Sequence, residues 1–475
     1  MKTFAYKLII LICAAVLSLT LLAGCGTTES TSTATSTPVE TTVSETAVAT
    51  SSVPGAQPDG TAPSEPPGGG PGGAPGGGPG GGTAAIDTGT GAYILADGEA
   101  LSGGTYTSTN ADENALRAEG TVNASMDNVT VEKTGGAASS NDASSFFGLN
   151  AAVLAIDNAT LNITGGEITA TAEGANGVFA YDGATINITD TVINVSGGNA
   201  GGIEVAGGGT LVATNLVVNS IVKAAIRSDR GGGNLTVDGG TYTTSGSSGA
   251  PAIYSTANII VSNATLIAND SEAVVVEGLN SVILNNCDVT GNMSGKYGES
   301  GGENIHNIML YQSMSGDAEV GTSSFTMTGG TLVSKNGDMF YVTNTNSVIN
   351  LNNVDLTLAD GTYLLLAAGN NSARGWGTAG ANGGNVTFNV SAQVLSGDIM
   401  VDAISTLEMN ISGSSSFTGS INSDGTEASN LSVTIDSTST WTLTADSYLT
   451  SFNGSPENIV TNGFALYVNG IAANG

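Results

Sequence analysis

From about residue 90 to the C-terminus, short runs of alternating apolar and polar residues begin at regular intervals. The runs start at Thr160 (Thr-Leu-Asn-Ile-Thr), Thr185 (Thr-Ile-Asn-Ile-Thr), Thr210 (Thr-Leu-Val-Ala-Thr), Asn234 (Asn-Leu-Thr-Val-Asp), Asn258 (Asn-Ile-Ile-Val-Ser) and Ser281 (Ser-Val-Ile-Leu-Asn). Successive starts are 25, 25, 24, 24 and 23 residues apart. The phase resumes at Ser324, Ser347, Asn385, Thr406 and Leu431, with wider gaps that call for inserted loops. Period-two alternation rich in Val, Ile and Thr predicts strands, and Gly, Asn and Asp at the joints supply turns. In the clearest copy a first strand, Val178 to Tyr181, is followed by the turn Asp182-Gly183. Then come a second strand from Ala184 to Thr189 and a third from Val192 to Val195. Helix-period stripes and caps are nearly absent.

One such unit buries too few aliphatic side chains to offset the entropy of ordering its backbone, so it cannot fold alone. Stacking each strand on its equivalent in the next unit supplies the missing ladders and a shared interior. The pattern therefore predicts an all-β parallel solenoid with three strands per coil of about 23 to 25 residues. Leu161, Ile186, Leu211 and Leu235 should line up in one inner column. A leucine-rich repeat would need a leucine consensus and a helical segment per turn, and a propeller blade about 40 residues, so both fit worse.

The three-strand coil resembles the right-handed parallel β-helix shared by pectate-lyase-like enzymes, tailspikes and bacterial surface adhesins, and that resemblance implies the hand. A narrower likeness rests on Phe147-Gly148-Leu149-Asn150-Ala151-Ala152, Asp229-Arg230-Gly231-Gly232-Gly233, Ala252-Ile253-Tyr254-Ser255-Thr256, Tyr311-Gln312-Ser313-Met314-Ser315-Gly316-Asp317-Ala318 and Tyr341-Val342-Thr343-Asn344-Thr345. In these stretches the chain resembles a family of bacterial secreted β-helix proteins, adhesin-like and without an established reaction. The likeness bears on fold more than on function.

The N-terminal 24 residues carry Lys2 and Lys7, an apolar run from Leu8 to Leu22, and the junction Leu22-Ala23-Gly24-Cys25. This resembles a bacterial lipoprotein signal (residues 1–24), with Cys25 as the lipidated residue. Residues 25–84 are Thr/Ser-rich and then Pro/Gly-rich, a composition that predicts a disordered linker before a β-helix domain over 85–475. That linker would span on the order of 40 Å as a coil, or roughly 180 Å in polyproline geometry. The expected location is the extracellular face of the bacterial membrane. Cys13 belongs to the signal and Cys25 to the junction, so Cys287 has no disulfide partner and reads as a small interior residue. The formal charge of −31 disfavours nucleic acid and anionic headgroups as partners, and the membrane is reached through the Cys25 lipid alone.

Candidate chemistry falls on the face made by the first strands and the turns after them. Asp157, Asp182, Glu204, Asp229, Arg230, Tyr254, Glu277, Tyr311, Gln312 and Asn344 share it, with stacking to bring neighbouring coils within about 5 Å. Asp157 and Asp182 read as turn residues. If the chain is an enzyme, a polysaccharide lyase or glycosidase, Asp229, Arg230 and Glu277 are its candidate catalytic residues. Arg230 would act as the base of a lyase, or Asp229 and Glu277 as a glycosidase pair set about 5 to 9.5 Å apart. A competing reading makes Asp229 and Arg230 an ion pair that locks a wide turn. Calcium is the cation such a carboxylate face would suit, although no metal ligand set is assignable. Tyr254, Tyr311, Gln312, Asp317 and Trp376 are candidate contacts for sugar hydroxyls and rings, with Trp376 equally suited to cap a solenoid edge. His306, the sole histidine, sits in an expected loop and reads as solvated. The long tether and the scarcity of basic residues favour a non-catalytic surface protein, whose partner would be a glycan or another surface protein.

Overall fold

A computed structural model describes residues 86–247, 249–296, 304–370 and 374–473. The expected signal, Cys25, the expected linker and residue 85 lie outside these residues. Within them the chain is a parallel β-helix. Twelve first strands, from Thr90–Ile94 through Val153–Ile156, Val178–Ala180, Ile203–Val205, Ile226–Ser228, Ile253–Ser255 and Val274–Glu277 to Asp398–Val401, form one parallel sheet. The second strands and the third strands of the earlier coils form a second, larger sheet, and from Val394–Ser396 onwards the third strands form a separate four-stranded one. Where a second and a third strand follow each other without a break they run as single long strands, such as Gly209–Ser220 and Thr322–Ser334.

The register matches the sequence period. Leu161 pairs with Ile186, Ile186 with Leu211, Leu211 with Leu235, Leu235 with Ile259 and Ile259 with Val282. These side chains form one column at the centre of the core and are almost wholly buried. Towards the C-terminus aromatic rings take over the interior, with Phe325, Phe340 and Phe388 at centroid separations of 5.8 and 5.9 Å, and Phe417 stacked on Trp441 at 5.6 Å. Cys287 is buried in this wall, with its thiol against the Val261 carbonyl, and burial pushes its pKa up.

The bend between second and third strands takes one residue in the left-handed region, and asparagine or aspartate fills it in many coils. Asn128, Asp190, Asn215, Asn263, Asn286 and Asn353 all have φ between 51° and 55°. These short polar side chains tolerate that conformation and bond to their neighbours. Asn215 donates to Asp190 at 2.6 Å, and Asn263 to Asp238 at 2.7 Å. Asp157 and Asp182 also adopt positive φ and are exposed, which fits their reading as turn residues.

Three expectations need correction. Two of the resumed runs start one residue out of phase: Ser347 pairs with Ser323 and is buried, while Leu431 pairs with the interior Leu407. A shift of one exchanges the faces, and coil length varies by more than that, with Ser324 pairing Val348 and Thr387 pairing Glu408, so a period of about two dozen residues does not set the phase. A helix, Asn141–Phe147, stands between coils, capped by Ser140 and ended by Gly148 at φ 74°. It is too short to show an apolar period. His306 opens the strand His306–Tyr311 and is buried rather than solvated; burial lowers its pKa to about 4. At the far end Leu466–Val468 pairs antiparallel with Ile471–Ala472 and blunts the open sheet edge. No helix among the described residues is long and apolar enough to cross a membrane.

Because Leu211 sits in the middle of the inner column, Leu211→Ala should cost about 2–5 kcal/mol of stability. Val212→Ala, on the half-exposed side of the same strand, should stay within about 0.5 kcal/mol. Urea denaturation followed by far-UV circular dichroism checks the contrast.

Candidate functional site

Side chains on the outer side of the first sheet ought to meet solvent, yet its middle is buried. The pairings order the outward column as Leu154, Phe179, Glu204, Arg227, Tyr254, Val275, Met309 and Tyr341. It therefore runs from apolar to charged and back to apolar. Glu204 is 0 % exposed, Asp229 2 % and Glu277 1 %. Two insertions cover them.

The first insertion is the helix Asn141–Phe147. Phe147 lies against Tyr181 at 5.5 Å, and Ser144 donates to the Gly174 carbonyl at 3.1 Å. Asn176 and Asn199 return hydrogen bonds to the helix carbonyls of Ser144 and Asn141. Lys223 donates to Ser145 at 2.7 Å. The second insertion follows the strand His306–Tyr311 and folds Gln312 to Glu319 back over the sheet. Arg230 joins the two insertions. Its guanidinium lies 4.0 Å from the Phe146 ring on one side and donates to Asp317 at 2.6 Å on the other.

Beneath that bridge lies the charged group. Arg227 donates to Asp229 and stands 3.3 Å from Glu204. Asp229 also accepts the backbone N–H of Arg230 at 2.9 Å. Burial pushes the Glu204 carboxyl up to about 8, against the pull of Arg227, so at neutral pH it is mostly protonated. Burial and then Arg227 lower Lys223 to about 7. Burial likewise raises Asp229, opposed by Arg227 and Lys223. For Arg227, burial works against the charge, but Glu204 and Asp229 together hold it firmly protonated.

Next along the face, Glu277 accepts from Tyr254 at 2.6 Å, Tyr311 at 2.7 Å and the Ser313 hydroxyl. Burial raises its pKa, and these three donors oppose the rise. Trp376 packs on Tyr311 at 4.5 Å, with the Arg374 guanidinium 4.4 Å from its ring. Beside this aromatic group lies a hollow of about 210 Å³ whose polar lining includes Gln312, Asn344, Thr345, Asn346 and Asn385.

The structure thus gathers most of the residues singled out from the sequence. Tyr254, Glu277 and Tyr311 share hydrogen bonds, Arg230 meets Asp317, and Gln312 lines the hollow near Trp376. Asp229 and Arg230 are not partners through their side chains: the pairs are Asp229 with Arg227 and Arg230 with Asp317. Glu204 was placed on this face by sequence but given no role, and Arg227 and Lys223 were missed. Alternation did mark Arg227 as outward, since Ile226 before it points into the core. Asp317 and Phe146 came to Arg230 from insertions that carry no repeat signal. Among the described residues no group of three or more His, Cys, Asp or Glu side chains is placed to hold a metal ion.

Arg230→Ala should leave the coils folded and free the second insertion. Limited proteolysis is then expected to cut faster between Met314 and Val320 than in the parent, with an unchanged far-UV spectrum. Glu204 supplies a second expectation. Its folded pKa lies above the unfolded value of 4.5, so its contribution to stability is complete below that value and lost as pH rises towards about 8. Glu204→Gln keeps the neutral shape, so its melting temperature should match the parent at pH 5 and exceed it by a few degrees at pH 8. An equal difference at both pH values would refute that protonation state. No family model, curated protein or solved structure matches the chain, so the reading of this site rests on its own geometry.

Proposed function

We propose that this protein is a non-catalytic, adhesin-like lipoprotein of the bacterial cell surface that displays its β-helix to bind glycans or a partner surface. The junction Leu22-Ala23-Gly24-Cys25 and the long polar linker support the anchoring. The observation that carries the binding reading is the contrast between two parts of the molecule. Glu204, Arg227, Asp229 and Glu277 on the first-sheet face are buried and engaged with partners inside the protein, whereas the hollow lined by Gln312, Asn344, Asn346 and Asn385 offers uncharged amides. Amides suit sugar hydroxyls, because each can both donate and accept. At about 210 Å³ the hollow is smaller than sites that enclose a small molecule, and it favours a chain lying across the surface.

A polysaccharide lyase or glycosidase is the alternative. It draws support from Glu204 and Lys223, whose pKa values of about 8 and about 7 flank neutrality as acid and base catalysis requires. That chemistry would need the insertions bridged by Arg230 to move aside.

Incubating the purified protein with plant and bacterial polysaccharides, with and without calcium, separates the two readings. Retention on at least one glycan without release of reducing or unsaturated ends is the expected result. Turnover that disappears in Asp229→Ala would establish the enzyme instead.

A further inference from the structure

The outer surface of the second strands carries a pattern that the first-sheet face does not explain. Four adjacent strands, Thr322–Ser334, Thr345–Asn352, Gly384–Ser391 and Thr406–Ser412, stack in register. Four outward positions on each form a grid, from Thr322, Asn346, Asn385 and Thr406 at one edge to Thr328, Asn352, Ser391 and Ser412 at the other. Every position in it bears a hydroxyl or an amide except Val348 and Glu408. No basic side chain lies within it.

The two ends of the grid are concave. One is the hollow that holds Asn346 and Asn385, and the other is a trough of about 240 Å³ lined by Thr326, Thr328, Asn350, Asn389, Asn410 and their neighbours. The six residues from Asn346 to Asn352 separate these ends by roughly 20 Å. Between adjacent strands the amides hold one another: Asn385 donates to Asn346 at 3.0 Å, Asn389 to Asn350 at 2.9 Å, and Asn410 to Asn389 at 3.0 Å. Asn350, Asn385 and Asn389 each give one N–H and accept one bond, with Thr326 taking the Asn350 N–H and Thr406 donating to Asn385, so each keeps one donor and one acceptor, whereas Asn410 spends both N–H groups on Asn389 and Glu408. Ordering these groups in advance removes an entropy penalty that a flexible polar surface would suffer on binding.

Resting on the glycan-binding reading, we infer that this amide and hydroxyl track is the binding site, and that its ligand is a neutral, hydroxyl-rich polysaccharide lying along the strands from one hollow to the other. A ligand without charge is indicated because the grid has no cation to meet an acidic sugar, and the single carboxylate, Glu408, would repel one. The amide pair Asn162–Asn187, five coils from Thr326 in the same outward column, is built alike, with a 2.9 Å bond, but borders neither hollow. It serves as an internal comparison.

The test is affinity electrophoresis of the full chain through gels containing soluble xylan, mannan, mixed-linkage β-glucan or polygalacturonate. Retardation is expected with at least one neutral polymer and not with polygalacturonate. Asn389→Leu should weaken that binding by about tenfold, the loss of one or two hydrogen bonds, while Asn187→Leu leaves it unchanged. Asn385→Ala, at an exposed position, repeats the test if Asn389→Leu proves unstable by its melting temperature. Retention that survives both track variants would overturn the track and leave the glycan reading standing. If no neutral polymer retards the parent protein, the glycan reading falls and the track with it.

Discussion

Everything in this molecule depends on the hydrogen bonds between one coil and the next. A three-strand coil has no partner for its own backbone N–H and C=O groups, and its few inward side chains cannot close an interior by themselves. Each therefore borrows both from its neighbours, which forces equivalent residues into register. The column from Leu161 through Ile186, Leu211 and Leu235 is the direct consequence. So is the row of asparagines at left-handed bends, since a turn that repeats must satisfy its polar groups in the same way each time.

That constraint also shapes the surface. Stacking turns every outward position into a ladder of residues distant in sequence, and a ladder exposes one chemistry over several coils. On the second strands this produces the amide and hydroxyl grid. On the first strands it produces a stripe in which Glu204, Arg227 and Asp229 lie between two apolar groups. Leaving such a stripe open would expose Phe179 and Met309 to water. The helix Asn141–Phe147, the segment after Tyr311 and, at the Met309 end, Trp376 pack on it, and the covering removes the charged groups from water as well. Their shifted protonation follows from burial before any partner is considered.

The candidate site was only partly legible beforehand. Asp229, Glu277, Tyr254 and Tyr311 were recognisable because strand alternation places them outward on neighbouring coils. The partners that determine their state were not. Arg230 meets Asp317 and Phe146, each more than eighty residues away along the chain, and Lys223 meets Ser145. Those contacts lie between insertions, which have no period to reveal where they come to rest. The phase errors at Ser347 and Leu431 have another origin, because coils differ in length by a residue or more and the average spacing cannot fix which residue faces in.

Local patterning by itself determined the strands, the coil length, the inward column and the bend residues, since each follows from side-chain alternation and backbone preference within about two dozen residues. Tertiary structure alone decided which outward residues meet water and which are sealed beneath the insertions. Burial depends on what folds over a residue, and that is written in contacts between segments far apart rather than in the repeat they interrupt.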